Sequence, residues 1–293
     1  MLTRSPVLRR ATRLFAVCRS ANGRSANGRS AIGLSAIGLL AIGLLAIGLF
    51  TCRGALAAPD AQAILAASDA VRNPGQPFRV TVTLTEYDKG QQIDTSTLSS
   101  YSRTVENSGQ FVSLIRFVLP ARDTGKLMLK NGNDLWFYDP GTKASVRISP
   151  QQRLMGDASN GDVITVNFAR DYKATLVGEE AVQDGERRPR RAHKLTLTAA
   201  NDDAAYAAIE LWVDTGNNWP IKARFLADSG RLLKTAYYRR YQAQLGSERP
   251  TETVIIDGLD PQSVTIVRLS EFVARNIPTL WFQRDFLPRF QGD

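Results

Sequence analysis

Alternation of apolar and polar residues is the feature of this sequence that most constrains its fold. Residues 78–85 alternate in this way, and residues 209–214 and 221–225 repeat the pattern. A period of two gives a β-strand one apolar face and one wetted face. About ten such runs, separated by short turns, lie between residues 78 and 269, a spacing typical of antiparallel barrels and sandwiches. The sequence therefore predicts a mainly β protein, a single domain of hairpins in series.

Three segments interrupt this alternation. Residues 60–71 carry apolar side chains at helical spacing, and residues 73–75, Asn-Pro-Gly, predict the end of a short amphipathic helix. Residues 149–162 show no alternation and are too long for a hairpin turn, which indicates a loop with a helical turn. Residues 278–290 return to nearly helical spacing, and we expect them to close one end or side of the sheet.

The first 57 residues have the organisation of an export signal. Seven arginines and no acid precede an uninterrupted apolar stretch, residues 31–50. Ala55 and Ala57 offer small side chains at the two positions that a signal peptidase reads, so cleavage is predicted after Ala57. Residues 1–57 are then the signal peptide, and residues 58–293 form the mature domain in the periplasm.

An uncleaved anchor and a lipobox are the alternatives for this segment. The apolar stretch matches the about 20 residues that a membrane-spanning helix needs. It is also built from a five-residue unit ending in glycine, and repeat expansion would lengthen an ordinary signal without selection for spanning. A lipobox would use Cys52, although Thr51 is atypical before the modified cysteine.

The charge and cysteine content of the mature domain exclude several classes of protein. The chain holds 37 Lys and Arg against 28 Asp and Glu. Eight of the arginines precede residue 58, so the mature part is almost neutral and nucleic acid is not expected as a partner. Cys18 and Cys52 also precede the predicted cut, which leaves neither a disulfide nor a cysteine nucleophile.

Residues suited to catalysis or metal binding are scarce. His193, the one histidine, follows Arg190 and Arg191, whose charges disfavour an imidazolium, and no carboxylate neighbours it in the sequence. A usual zinc site cannot form from one histidine without cysteine. Residues 156–162 resemble a calcium loop only faintly, because the alternating acids and final glutamate are missing. We therefore expect no enzyme activity, no cofactor and no metal.

The densest basic run of the mature part is Arg187 to Arg191, which includes Pro189. A run of this kind in a loop is usually solvated and has no further role. The alternative is a contact with anionic lipid headgroups or with an acidic partner, where arginine would raise the association rate.

The inward face of the predicted sheet is uniformly apolar. A curved antiparallel sheet with such a face has two ways to exclude water: it fills its interior with side chains, or it encloses an apolar ligand. Composition does not decide between these alternatives.

Essentially the whole mature domain resembles a known family, although only part of it carries a specific signal. The residues that carry the resemblance are Arg116 to Pro120, Gly125, Leu127, Leu129 and Asn131 to Pro140. They are similar to the matching run of the LolA/LolB-like periplasmic lipoprotein carriers. The fuller stretch, residues 125–157, is more similar to the branch of outer-membrane lipoprotein-sorting proteins.

This resemblance implies a fold, a function and partners. The fold is a single, curved, incompletely closed antiparallel β-barrel with a few helices over its open side. The implied function is non-catalytic: to bind acyl chains of lipoproteins or related lipids and to carry them toward the outer membrane. An inner-membrane transporter and an outer-membrane acceptor would be further partners. The alternative is a non-enzymatic accessory subunit of an inner-membrane exporter, with a side-chain-filled barrel.

The expected lipid-binding residues are the apolar ones assigned to the cavity. Val80, Val82 and Leu84 are expected to face inward together with Leu127 and Leu129. The full expected set is Val80, Val82, Leu84, Ile115, Phe117, Leu127, Leu129, Trp136, Leu154 and Met155. The last two are the large apolar side chains of the interruption at residues 149–162. They would either line a movable lid over the cavity mouth or plug a gap in the core.

Overall fold

The computed structural model describes residues 60–106, 108–200 and 204–292. These residues belong to one compact unit, Ala57–Asp293. The export signal predicted for residues 1–57, with its anchor and lipobox alternatives, lies outside the described residues. Within the described ranges, no helix is long and apolar enough to cross a membrane.

Helix α1 spans Ala61–Arg72, in agreement with the helical spacing of the sequence. The Asp60 side chain caps it by accepting a hydrogen bond from the backbone N–H of Gln62 at 2.9 Å. Asn73 ends the helix in extended backbone, the conformation that a following proline favours. The buried residues of the helix, on the side that contacts the sheet, are Ile64, Leu65, Ser68 and Asp69.

Fifteen strands form most of the remaining described chain. They are β1 Phe78–Asp88, β2 Gln91–Thr104, β3 Phe111–Leu119, β4 Leu127–Asn131, β5 Asp134–Asp139, β6 Ala144–Arg147, β7 Arg153–Met155, β8 Ala158–Ser159, β9 Tyr172–Gln183, β10 Pro189–Ala199, β11 Ala208–Asp214, β12 Pro220–Leu226, β13 Leu232–Gln244, β14 Ser247–Asp257 and β15 Ser263–Ala274. The short helices are α2 Asn160–Val163, α3 Phe168–Asp171 and the 3-10 helices Ala121–Asp123, Thr279–Phe282 and Arg284–Arg289.

Thirteen of these strands form one antiparallel sheet, in the order β6-β5-β4-β3-β2-β1-β15-β14-β13-β12-β11-β10-β9. Neighbours in the sheet follow one another in the chain, except that β1 pairs with β15 and thereby joins two meanders. Strands β6 and β9 remain as edges, so the curved sheet is not closed. The predicted fold class, a mainly β and incompletely closed antiparallel barrel with few helices, is confirmed.

The connection between the two edge strands covers the inner face of the sheet. Residues 148–171 run from β6 to β9 and contain the β7–β8 hairpin, α2 and α3. The loop predicted at residues 149–162 therefore includes a small hairpin as well as a helical turn. Ile164 and Phe168 of this connection pack with Leu65 of α1 and with the strands in one apolar cluster. We refer to residues 148–171 and α1 together as the cover.

Two apolar clusters lie on opposite faces of the sheet. The inner cluster is the larger and includes side chains of the cover; its members from the first three strands are Phe78, Val80, Val82, Leu84, Leu98, Phe111, Ile115 and Phe117. The buried residues of the outer cluster are Tyr101, Val112, Leu114, Leu127, Leu129, Tyr138, Ile277, Phe282 and Leu287.

Cross-strand register places the leucines of β4 on the outer face. Directly paired residues point to the same face of a sheet. The paired row that begins in β1 consists of Val80, Ser100, Ile115 and Met128. Met128 is therefore the inward residue of β4, and Leu127 and Leu129 point outward. The prediction that these leucines share a face with Val80 is wrong, because β4 is apolar on both faces and its sequence shows no alternation.

The C-terminal segment covers the outer cluster. Its two 3-10 helices, Thr279–Phe282 and Arg284–Arg289, each bury one side chain against the cluster. Trp281 and Phe290 contact Tyr101 of β2 edge to face, with ring centroids 5.4 and 5.7 Å from the tyrosine ring. The segment expected to close one side of the sheet does so, on the outer face.

Candidate functional site

A cavity of about 210 Å³ lies between the inner face of the sheet and the cover. It is larger than the about 150 Å³ apolar cavity that accepts a benzene molecule. Apolar side chains from both sides form much of the wall, among them Val80, Val82, Phe225 and Ile255 from strands and Ile164 and Phe168 from the cover. A wall of this composition can hold an apolar group through burial alone.

Five of the predicted site residues lie on the inner face. Val80 and Val82 line the cavity directly. Leu84, Ile115 and Phe117 are buried in the inner cluster and are not part of the cavity lining. The ring of Phe117 packs edge to face on a second aromatic ring, from β5, with centroids 6.0 Å apart.

The other five predicted residues lie away from the cavity wall. Leu127, Leu129 and Trp136 belong to the outer cluster, so the sheet itself separates them from the cavity. Leu154 and Met155 are partly buried and pack against the inner cluster. This contact is the one expected if they plug a gap in the core, and their motion as a lid stays a prediction.

Hydrogen bonds hold α1 against the rest of the cover and against the sheet. The Gln62 side chain donates to the carbonyl of Ala169 at 2.7 Å and accepts from the N–H of Ala174 at 2.9 Å. Arg249 of β14 donates to two carbonyls near the end of the helix, at 2.8 and 3.0 Å. These bonds satisfy backbone groups that the closed structure removes from water, and so they fix one wall of the cavity.

An ion pair lies where α1 meets the connection. Asp69 and Arg72 pair one helical turn apart, and Asp69 also accepts from the backbone N–H of Ala169 at 2.7 Å. The guanidinium of Arg72 lies 3.9 Å from the ring centroid of Phe168. Burial raises the pKa of the Asp69 carboxyl, and the Arg72 charge opposes that increase. Arg72 thus contributes a paired, not an isolated, charge to the cavity wall.

A second buried ion pair anchors the connection inside the sheet. Lys234 of β13 is 5% exposed and pairs with Asp162 of α2. Its Nζ also donates to Ser159 Oγ at 3.2 Å, and the Tyr206 hydroxyl lies 2.7 Å from the same oxygen. Burial raises the pKa of Tyr206 well above its usual value. Sequence reasoning missed this network because its members come from three separate segments.

The mouth of the cavity is polar. Gln110, Lys130, Asn133 and Asp171 contribute to its lining, and the β4–β5 turn that holds Asn133 is exposed. Gln110 donates to Asp171 Oδ1 at 2.7 Å. We call these four residues the rim. Asn131-Gly132 is a turn signal in the sequence, but nothing in the sequence shows that this turn and the end of α3 line the same cavity.

The basic run at Arg187 to Arg191 is mostly paired. Three of its four arginines contact acids: Arg188 contacts Asp184 at 3.3 Å, and the other two make ion pairs across neighbouring strands at 2.9 and 2.7 Å. His193 likewise has a carboxylate beside it, since its Nδ1 lies 3.5 Å from Glu179 on the paired strand. The sequence order hides that neighbour because β9 and β10 are antiparallel.

The two carboxylates in residues 156–162 bind other side chains of the domain. Asp157 accepts a hydrogen bond from Ser263 at 2.5 Å, and Asp162 pairs with Lys234. Within residues 60–106, 108–200 and 204–292, no three His, Cys, Asp or Glu side chains are grouped so as to hold a metal ion.

Comparison with known proteins adds a family to this geometry. A family model described as an uncharacterized protein matches residues 109–289. No curated protein sequence matches the chain significantly. The structure of a LolA superfamily protein from Nitrosomonas europaea is 32% identical, with a TM-score of 0.70, and the match covers 78% of this chain and 100% of that one.

Two more distant structures share the fold. A DUF1329 family protein from Desulfovibrio piger is 22% identical, with a TM-score of 0.66 and coverage of 78% of this chain and 97% of its own. A domain from Vibrio parahaemolyticus described as an outer membrane lipoprotein-sorting protein is 19% identical, with the same TM-score and coverage of 78% and 98%. Together with the open 13-stranded sheet and its covered inner face, the 32% identity over a whole related chain shows that this protein belongs to the LolA superfamily.

Proposed function

We propose that this protein is a non-enzymatic periplasmic carrier that binds acyl chains of lipoproteins or related lipids and moves them toward the outer membrane. The observation that carries the proposal is the apolar cavity between the sheet and the cover. Membership of the LolA superfamily supports it. An inner-membrane transporter would supply the lipid and an outer-membrane acceptor would receive it.

Burial of an acyl chain gives sufficient affinity without polar chemistry. Each methylene transferred from water contributes about 0.8 kcal/mol. A segment of about five methylenes would therefore contribute about 4 kcal/mol, before the cost of ordering the chain is subtracted. The cavity volume of about 210 Å³ suits part of one chain, so a ligand with more acyl chains requires the cover to move.

The cover is the part of the domain that we propose to move. Its connection is tied to the sheet by side-chain contacts such as Lys234 to Asp162, and its hairpin pairs only with itself. Segments of this kind open at lower free energy than strands inside a large sheet. Leu154 and Met155 would then slide over the inner cluster as the cavity widens.

We also propose that export removes residues 1–57. The first described helix begins at Ala61, so cleavage after Ala57 leaves its Asp60 cap in place. N-terminal sequencing of the exported protein should read Ala58 first. A protein that keeps Met1 and stays with the inner membrane would favour the anchor instead.

Extraction of a lipopeptide from vesicles tests the carrier function. Vesicles containing a fluorescent acylated peptide are incubated with the mature protein and then sedimented. A carrier should leave the peptide in the supernatant as a soluble complex. An accessory subunit with a filled barrel should leave all of it in the pellet.

Matched substitutions on one strand provide the control. Ala236 of β13 lines the cavity, whereas Ala243 of the same strand is exposed. Ala236→Phe should fill the cavity and abolish extraction, while Ala243→Phe should extract like the wild type. Extraction that survives Ala236→Phe unchanged would show that the peptide binds elsewhere.

A further inference from the structure

Three separate elements bring polar side chains to the mouth of the cavity. Gln110 lies just before β3, Lys130 lies near the end of β4 with Asn133 in the following turn, and Asp171 ends α3. The wall deeper in the cavity is largely apolar, as Val82 and Ile255 illustrate. A ligand whose tail fills the cavity must therefore place its head among these rim residues.

The rim carries one positive and one negative charge. Lys130 is partly buried, and its Nζ donates to the Gly132 carbonyl in the turn. Burial raises the pKa of the Asp171 carboxyl, while the hydrogen bond from Gln110 and the charge of Lys130 lower it. The two opposite charges line the same cavity.

Each rim charge attracts a ligand group of the opposite charge. The Asp171 carboxylate can accept hydrogen bonds at two oxygens. Gln110 donates to Oδ1 of Asp171, and in the described part of the chain no hydrogen-bond donor reaches Oδ2. A phosphate would accept from Lys130, and a primary ammonium would donate to Asp171.

We propose that the rim recognises a zwitterionic head, with a phosphate and a primary ammonium, on a lipid that places one acyl chain in the cavity. The inference rests on the proposed function, because the chain must occupy the apolar cavity for the head to reach the rim. A purely anionic head satisfies Lys130 but faces Asp171, and an uncharged head satisfies neither group. The volume of about 210 Å³ is what favours a single chain.

Three ligands with the same lauroyl chain test the head specificity. Lauroyl lysophosphatidylethanolamine carries phosphate and ammonium, lauroyl lysophosphatidylglycerol carries phosphate alone, and monolauroyl glycerol carries neither charge. Calorimetric titration below their micelle concentrations should give affinities in that order, with about tenfold between each ligand and the next. Equal affinity for all three would overturn the head specificity and leave the carrier function standing. No binding by any of them would contradict both.

Single substitutions test which charge of the head group each rim residue binds. Lys130→Gln should weaken both phosphate ligands about tenfold and leave monolauroyl glycerol unchanged. Asp171→Asn should weaken the ethanolamine ligand alone. The matched controls are Lys173→Gln, near the start of β9, and Asp228→Asn, in a turn. Both residues are exposed. If Lys130→Gln or Asp171→Asn lowers the affinity for all three ligands equally, with an unchanged melting temperature, the rim does not recognise the head group.

Discussion

The sheet carries an apolar cluster on each face, and the cavity of the candidate site lies on the inner face. On the outer face, aromatic side chains fill the cluster, and Tyr101 contacts Trp281 at 5.4 Å and Phe290 at 5.7 Å. On the inner face, the cover leaves a cavity of about 210 Å³. An apolar face therefore does not by itself indicate a binding site, because the element that packs on it determines whether a cavity remains.

The two coverings differ in how they are attached. The C-terminal segment buries Phe282 and Leu287 and holds the outer face by apolar packing. The inner cover is held to the sheet partly through polar groups, such as the ion pair of Lys234 with Asp162. Packing of the first kind suits a permanent seal, whereas polar contacts around a cavity suit a surface that has to exchange a ligand.

The largest effect is expected from breaking the buried ion pair of the inner cover. Lys234→Met leaves the Asp162 carboxylate without its cation, and removal of one partner of a buried pair costs about 3–5 kcal/mol. Urea unfolding measures the loss. Adding Asp162→Leu to Lys234→Met should restore part of the stability, because no charge then remains unpaired.

Lys222→Met is the control for this pair, since Lys222 lies on the outer face of the neighbouring strand and is only partly buried. Its free energy of unfolding should change by less than about 1 kcal/mol. Equal losses from Lys222→Met and Lys234→Met would mean that the ion pair does not hold the cover.

A smaller loss of stability, without loss of binding, is expected from the outer face. Leu129→Ala removes a fully buried side chain of the outer cluster and should cost about 3 kcal/mol. Bound lipid per folded molecule should stay at the wild-type level, because the sheet separates Leu129 from the cavity. Leu280→Ala, at a side chain that is 43% exposed, is the control for the stability change. Loss of lipid from folded Leu129→Ala protein would place the binding site on the outer face.

The register of β4 shows where the sequence is informative and where it is not. In β1, strict alternation assigned Val80 and Val82 to the inner face, and both line the cavity. In β4, Leu-Met-Leu offers no polar residue to mark the wet side, and the C-terminal segment keeps both faces dry. Only pairing with β3 fixes Met128 inward.

The sequence did not predict the polar residues of the site, because residues that are close in the fold are far apart in the chain. Lys130 and Asp171 line the same cavity although they are forty-one positions apart in the chain, and no pattern in either segment predicts this. Lys234 occupies an inward position of β13, where alternation predicts an apolar residue, and its partner lies in the connection. Periodicity and the family resemblance predicted the fold. The polar residues of the site could be identified only from the contacts in the structure.

The smallest expected effect is a change of folding stability with pH, which arises from a buried glutamate on the outer face of β13 to β15. Glu252 has no exposed side-chain surface and accepts hydrogen bonds from Arg239 at 2.5 Å and Arg268 at 2.8 Å. Burial alone would raise the pKa of Glu252, but the hydrogen bonds from Arg268 and Arg239 lower it below the usual value of 4.5. A lowered folded-state pKa adds stability above pH about 4.5 that is lost as the pH falls through the folded pKa.

Glu252→Gln should therefore unfold about 1 kcal/mol more easily than the wild type at pH 7, and this gap should shrink below pH about 4.5. Melting temperatures of both proteins across that range measure it. Glu271→Gln, whose side chain is 65% exposed, should show no such gap. A Glu252→Gln gap that is constant or widens toward low pH would contradict the assigned direction.

Native mass spectrometry of the protein isolated from the periplasm tests the cavity most directly. The wild type should carry an added mass that organic extraction identifies as an acylated molecule. Ala236→Phe should fold, with a melting temperature near that of the wild type, and carry none. Wild-type protein that is free of lipid under conditions that preserve non-covalent complexes, or an Ala236→Phe variant that retains the same lipid, would contradict the account.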